Sequence, residues 1–169
     1  KDMMRRSMRQ PWTGIWAPDN RDMFLVGRRG EHMQRVKDDW YALMPNPSQH
    51  FTGISGLPPR NDADVLQAFA SSEDGAQTQV YGNVWSELIG CSGQMSLSKS
   101  LYAVSAVRNG MGSTVYFGGE TNTGIRIDLD GKGACNWTTA KIVDAAMGGE
   151  FTVRAIHALT PDIVLAAGA

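Results

Sequence analysis

The feature that most restricts this chain is a short motif that keeps returning: a large residue, any residue, a small residue, then an aliphatic one. It reads Trp12-Thr-Gly14-Ile15, Phe51-Thr-Gly53-Ile54, Leu101-Tyr-Ala103-Val104 and Val153-Arg-Ala155-Ile156. The small residue recurs at 14, 53, 103 and 155, giving spacings of 39, 50 and 52. A period in this range marks one supersecondary unit used several times, each copy burying its apolar face only against a neighbour.

Turn chemistry follows each tetrad: Pro18–Asp22, Pro58–Asp62, Arg108–Gly112 and Thr160–Asp162. Pro fixes φ, while Asn, Asp and Gly tolerate the left-handed region or hydrogen-bond their own backbone. Next comes an apolar run: Met23–Gly27, Val65–Phe69, Val115–Gly118 and Ile163–Gly168. Four or five apolar residues between turn signals suit a strand buried on both faces. A more polar strand comes third, at Met33–Val36, Gln77–Tyr81 and Ile125–Leu129, the last alternating strictly. Trp40, Trp85 and Trp137 open a fourth element and are 45 and 52 residues apart.

Four strands per unit, graded from apolar to wet, describe a propeller blade. Strands near the axis lie between neighbouring blades, and the outermost meets water, where one Trp is expected to seal the sheet edge. The small tetrad residue lets backbones crowd near the axis. The fold expected is therefore all-β, a β-propeller of about three and a half four-stranded blades. The units run approximately 12–50, 51–100 and 101–150, with a half blade at 151–169 and an N-terminal arm or closing strand at 1–11.

The tetrad, the Pro/Asn/Asp turn, the run DMFLVG, the strand GEHMQRV and the Trp after it resemble the tandem blades of bacterial exported β-propeller repeat proteins. Those carry a pattern similar to W-x-G-I-W…P-N-D-V-x-x-V-G…G-x-I-x-x-x…W. The likeness spans residues 12–169 and is closest in the first unit. It is only loosely Asp-box-like, because SSEDGAQTQVYGNVW stands where an Asp-box would read S-x-D-x-G-x-T-W. The resemblance implies a scaffold or adhesion role, in a secreted or cell-envelope setting, and no single shared activity.

A half blade leaves a strand edge to be covered. Three arrangements would do so: a strand donated by residues 1–11, a second copy completing a ring of about seven blades, or further sequence of a longer polypeptide. The last is the expectation.

Loops joining the second strand to the third, and each blade to the next, share one face over the channel, where propellers usually bind. The candidates there are Arg28 and Arg29, Glu73 and Asp74, Glu120 and Asn122, with His50 from an inter-blade linker. Such a mixed surface suits a protein or a glycan. Each residue taken alone is equally an ordinary solvated loop charge.

Nothing in the chain spells a P-loop, a dinucleotide fingerprint, G-x-S-x-G or H-E-x-x-H. No catalytic residue, metal or cofactor is assigned. The leading expectation is a non-catalytic binding or scaffold module, with a carbohydrate-active propeller (a lectin or glycoside hydrolase) and a structural subunit of an extracellular assembly as alternatives. Asp128-Leu-Asp130-Gly fits a hairpin turn better than a calcium loop. Cys91 and Cys135 either form one disulfide or are two separate core residues.

Charge adds little. Net charge is −1, and the basic excess of residues 1–40 (nine Lys and Arg against six Asp and Glu) is not interleaved with aromatics. Nucleic acid is therefore not an expected partner. No apolar run reaches the roughly 18 residues of a helical membrane span.

Overall fold

The computed structural model describes residues 11–19, 22–42, 49–60, 65–81, 84–88, 90–94, 97–132, 134–141 and 149–169. The expected arm or closing strand falls almost wholly on residues 1–10, outside the described residues.

The chain forms three four-stranded antiparallel sheets and one two-stranded sheet, each ordered as the chain runs. Blade 1 holds β1 (Trp12–Trp16), β2 (Asp22–Gly27), β3 (His32–Val36) and β4 (Asp39–Ala42). Blade 2 holds β5 (Phe51–Leu57), β6 (Gln67–Ser72), β7 (Gln77–Tyr81) and β8 (Val84–Glu87). Blade 3 holds β9 (Leu101–Asn109), β10 (Gly112–Gly119), β11 (Thr123–Leu129) and β12 (Cys135–Lys141). The half blade is the hairpin β13 (Val153–Thr160) and β14 (Ile163–Gly168). This is a partial propeller of about three and a half blades.

The opening strands stack from blade to blade, β1 on β5, β5 on β9 and β9 on β13. Their small residues make that possible. A Cβ built on Gly14 would stand 3.1 Å from the Ile54 nitrogen and 3.1 Å from Val26 Cγ2. Hydroxyls then stitch the strands together: Thr13 donates to Phe51 O at 2.6 Å, and Thr52 donates to Leu101 O at 2.6 Å. Further along, Ala106 N–H donates to Ser55 Oγ at 3.3 Å and Ala158 N–H to Ser105 Oγ at 3.0 Å. Each such bond pairs a polar group in the crowded interior and fixes the next blade's height.

The core lies between the blades. Phe69, Leu101, Val115, Phe117, Ile125, Ile127 and Trp137 fill the junction of blades 2 and 3. Phe24, Ala68 and Val80, with Trp16, Ile54 and Trp85 against them, fill that of blades 1 and 2.

Two expectations need correction. The second strand of blade 2 is Gln67–Ser72, displaced toward the C-terminus from the apolar run Val65–Phe69. Ser71 and Ser72 extend it because their hydroxyls are paired, with Thr52 Oγ1 and with Asp74 and the Ala76 carbonyl. Nor do the fourth-strand tryptophans seal an outer edge where the neighbouring blade is present. Trp137 is buried between blades 2 and 3, and Trp85 stacks among Phe24, His32 and Phe51 of the inter-blade layer.

The outer edge of blade 3 is covered by main chain instead. Ser92 lies parallel to β12, its N–H donating to Cys135 O at 3.0 Å while Trp137 N–H donates to Ser92 O at 2.7 Å. A Cys91–Cys135 disulfide, with its Cα atoms 4.8 Å apart, pins this segment to the strand. Asp130 shapes the β11–β12 hairpin, its Oδ1 accepting from Lys132 N–H at 2.7 Å and Ala134 N–H at 3.1 Å.

Candidate functional site

The loops after the second strands and the linkers between blades touch one another, and this contact builds the candidate face. Glu73 N–H donates to His50 O at 2.9 Å, and Glu120 N–H donates to Ser100 O at 3.1 Å. Asn122 N–H donates to Phe151 O at 2.7 Å, while Asn122 Oδ1 accepts Phe151 N–H at 2.7 Å.

Several of the candidate side chains are thereby committed to bracing. Asp74 is held by Ser72 Oγ and accepts Ala76 N–H at 3.4 Å. Asn122 also donates to Gly149 O at 3.4 Å. Glu120 accepts Tyr102 O–H at 2.7 Å, and the Arg154 guanidinium lies 4.1 Å over the Tyr102 ring. The Tyr102 hydrogen bond, with help from the Ser100 backbone, holds the Glu120 carboxyl below its ordinary range.

Arg28, Arg29 and Glu73 form a different group. A 3-10 turn at Arg28–Gly30 carries the two arginines into solvent, with Arg29 in the left-handed region at φ 61°. Arg28 reaches across the blade boundary to Glu73 at 3.7 Å. Both groups are well exposed, so the pair contributes at most about 1 kcal/mol and leaves its charges available to a partner. The face thus holds braced side chains over blades 2 and 3, with Asp74, Glu120 and Asn122, and an exposed charged ridge over blades 1 and 2.

Along the blade 1–blade 2 junction is a half-open recess of about 250 Å³, lined by His32, Gln49, Phe51, Thr78, Trp85, Ser86 and Glu87. This is below the roughly 300–1,000 Å³ of sites for drug-sized ligands, and suits a single side chain. The rings of His32 and Trp85 lie 4.3 Å apart, with Phe51 edge-on to His32 at 6.1 Å. Gln49 Nε2 donates to Glu87 Oε1 at 2.7 Å. Two buried polar atoms of the lining, Thr78 Oγ1 and Trp85 Nε1, have no hydrogen-bond partner.

His32 Nδ1 is 2.7 Å from Gly30 O. A carbonyl can only accept, so Nδ1 carries the proton and a neutral ring leaves Nε2 as an acceptor. Burial pushes the His32 pKa down, and the Gly30 carbonyl only partly opposes it. The aromatic lining thus contains two unpaired polar atoms with almost no accessible surface of their own.

No protein-family model matches the chain, and no curated protein matches it. Among solved structures it is similar to YCF48 bound to D1 peptide, at 16% identity and a TM-score of 0.54. That match covers 79% of this chain and 42% of the other. It is also similar to YCF48 from Cyanidioschyzon merolae, at 12% identity and a TM-score of 0.48, covering 90% of this chain and 62% of that one. The fold is a β-propeller. This chain spans less than two thirds of the length of either of these proteins.

Among the described residues no group of three or more His, Cys, Asp and Glu could hold a metal ion, and no helix is long and apolar enough to cross a membrane. The sequence pointed to the ridge residues and did not single out His32. The signal for the recess was the alignment of blades: His32 opens the third strand of its blade, as Gln77 does in the next.

Proposed function

We propose that the chain is a non-catalytic, protein-binding propeller module that takes a polypeptide segment across its loop face. The observation that carries this reading is the exposed charged ridge of Arg28, Arg29 and Glu73, which bridges the same two blades whose junction holds a side-chain-sized recess. Exposed arginines supply steering and bidentate contacts, and a recess at the same blade junction supplies a desolvated anchor point. A solved structure of the same fold, YCF48, holds a D1 peptide, which supports a peptide as the kind of ligand. A polypeptide fits better than a glycan here. Among the described residues, the loop and linker segments 28–31, 49–50, 73–76, 91–94, 97–100, 120–122 and 149–150 contain no Trp or Tyr on which a sugar ring would stack.

The Cys91–Cys135 disulfide favours an oxidising compartment, in line with a secreted or cell-envelope setting.

A randomised peptide array probed with the protein tests the reading. Saturable binders are expected to carry an acidic residue, and Arg28→Glu with Arg29→Glu is expected to weaken them about tenfold or more, with most of the loss in on-rate and a reduced salt dependence. Binding that survives both substitutions, or an array with no saturable binder beside a glycan array with one, would sink it.

A further inference from the structure

Each full blade joins its second strand to its third by a short turn on the loop face, and the three turns are not built alike. In blade 2 the turn is relaxed. Gly75 N–H donates to Ser72 O at 3.1 Å, and the central residues Glu73 and Asp74 keep negative φ. The left-handed position after them is taken by a glycine, Gly75 at φ 81°.

Blades 1 and 3 use a turn with positive φ at both central residues. Glu31 N–H donates to Arg28 O at 3.4 Å across Arg29 and Gly30, which have φ 61° and 67°. Thr123 N–H donates to Glu120 O at 3.0 Å across Thr121 and Asn122, which have φ 50° and 60°. Such a turn favours Asn, Asp or Gly at its first central position, because a Cβ there crowds the carbonyl that follows. That position holds an arginine in blade 1 and a threonine in blade 3. For a β-branched residue positive φ is a genuine outlier.

Strain of this kind persists where the fold or the function compensates it. Among the described residues four other than glycine have positive φ: Arg29, Lys37, Thr121 and Asn122. Lys37 belongs to the β3–β4 hairpin, at the opposite end of its blade. Asn122 is compensated within the fold, since its side chain accepts Phe151 N–H and donates to Gly149 O. Thr121 and Arg29 differ. Both are exposed, and among the described residues neither the Thr121 hydroxyl nor the Arg29 guanidinium has a hydrogen-bond or ion-pair partner. The Thr121 carbonyl is anchored, accepting from Lys99 Nζ at 3.3 Å. The backbone is thus held in the strained form while the side chain is left to solvent. Blade 2 shows that the same connection closes without strain.

We infer that Thr121 is a ligand-contacting residue of the loop face, the counterpart over blade 3 of Arg29 over blade 1, and that a bound polypeptide reaches from one to the other. This rests on the polypeptide-binding function proposed above and extends it from the ridge to a third blade. Packed sheets stand about 10 Å apart, so blades 1 and 3 lie on the order of 20 Å apart, the span of about six extended residues. The ligand's acidic residue at Arg29 and its residue at Thr121 are then separated by about six positions. Thr121 offers that residue a hydroxyl that can donate or accept.

Strain and contact together give one substitution two effects of opposite sign. Thr121→Gly and Thr121→Asn both suit positive φ. Each is expected to raise the folding equilibrium constant in urea unfolding by about threefold, the relief exceeding the freedom that glycine adds to the unfolded chain. The binding probes are labelled peptides of about twelve residues, long enough to cross three blades, selected with the wild-type protein from a randomised array. They are expected to bind each variant about fivefold more weakly, the effect of losing one hydrogen bond. Variants no more stable than wild type would show an unstrained turn and overturn the inference. Variants that are more stable but bind the selected peptides as tightly as wild type overturn the Thr121 contact and leave the ridge reading intact. An array with no saturable binder overturns both.

Discussion

A histidine kept neutral inside a blade junction makes the fold sensitive to acid. In the unfolded chain an imidazole takes up its proton near pH 6.5. In the fold, burial of His32 lowers that value, and the Gly30 carbonyl offsets only part of the effect. Between the two values the unfolded state binds more protons, so stability falls as pH drops below about 6.5 and levels off below the folded pKa. The thermal midpoint should fall between pH 7.5 and 5, and His32→Gln should flatten that fall. An equal slope in the variant would place the acid sensitivity elsewhere. At Gly14 the constraint is steric. Gly14→Val puts a branched side chain where a Cβ alone already crowds Ile54 and Val26. It should cost about 1–3 kcal/mol in denaturant unfolding, the usual range for overpacking.

At the scale of elements, what a strand needs from its neighbours decides how much of it is readable. β1, β2 and β11 follow from the sequence because their tetrads, turns and alternation reflect their own burial. β6 was misplaced because Ser71 and Ser72 resemble a turn until Thr52, Asp74 and the Ala76 carbonyl are seen to satisfy them. The recess was illegible for the same reason. His32 looks isolated in sequence, and its meaning lies in matching Gln77 one blade later, a relation fixed by strand register. The edge of blade 3 shows a third case. Its cover comes from residues 91–93 and the disulfide, not from a large aromatic. The bridge closes a sequence separation of 44 residues. Reducing it, or replacing both cysteines by Ser, should lower stability by about 2–4 kcal/mol in urea unfolding. Amide exchange should rise first along β12. Unchanged exchange there would mean that the Ser92 bridge holds the edge unaided.

For the whole molecule, the decisive fact is which strands the half blade contains. β13 and β14 are the inner pair, and β13 packs on β9 as β9 packs on β5. The half blade therefore takes a full angular place around the axis. Two copies meeting end to end would fill eight places rather than about seven, still within the four to eight blades usual for propellers. Its far face shows what a neighbour would cover: Leu159 is 53% exposed, Ile163 53% and Leu165 58%. At the other end of the stack Ile15 is 60% exposed. An open apolar sheet face promotes association, and among the described residues no strand pairs with the outer edge of β14. The isolated chain should therefore self-associate as its concentration rises, seen as a growing sedimentation coefficient. Leu165→Lys with Ile163→Lys should suppress that growth while leaving the junction of blades 1 and 2 intact, because no residue of the half blade lines its recess. A wild-type chain that stays monomeric across the range would show that these side chains find cover within a single copy.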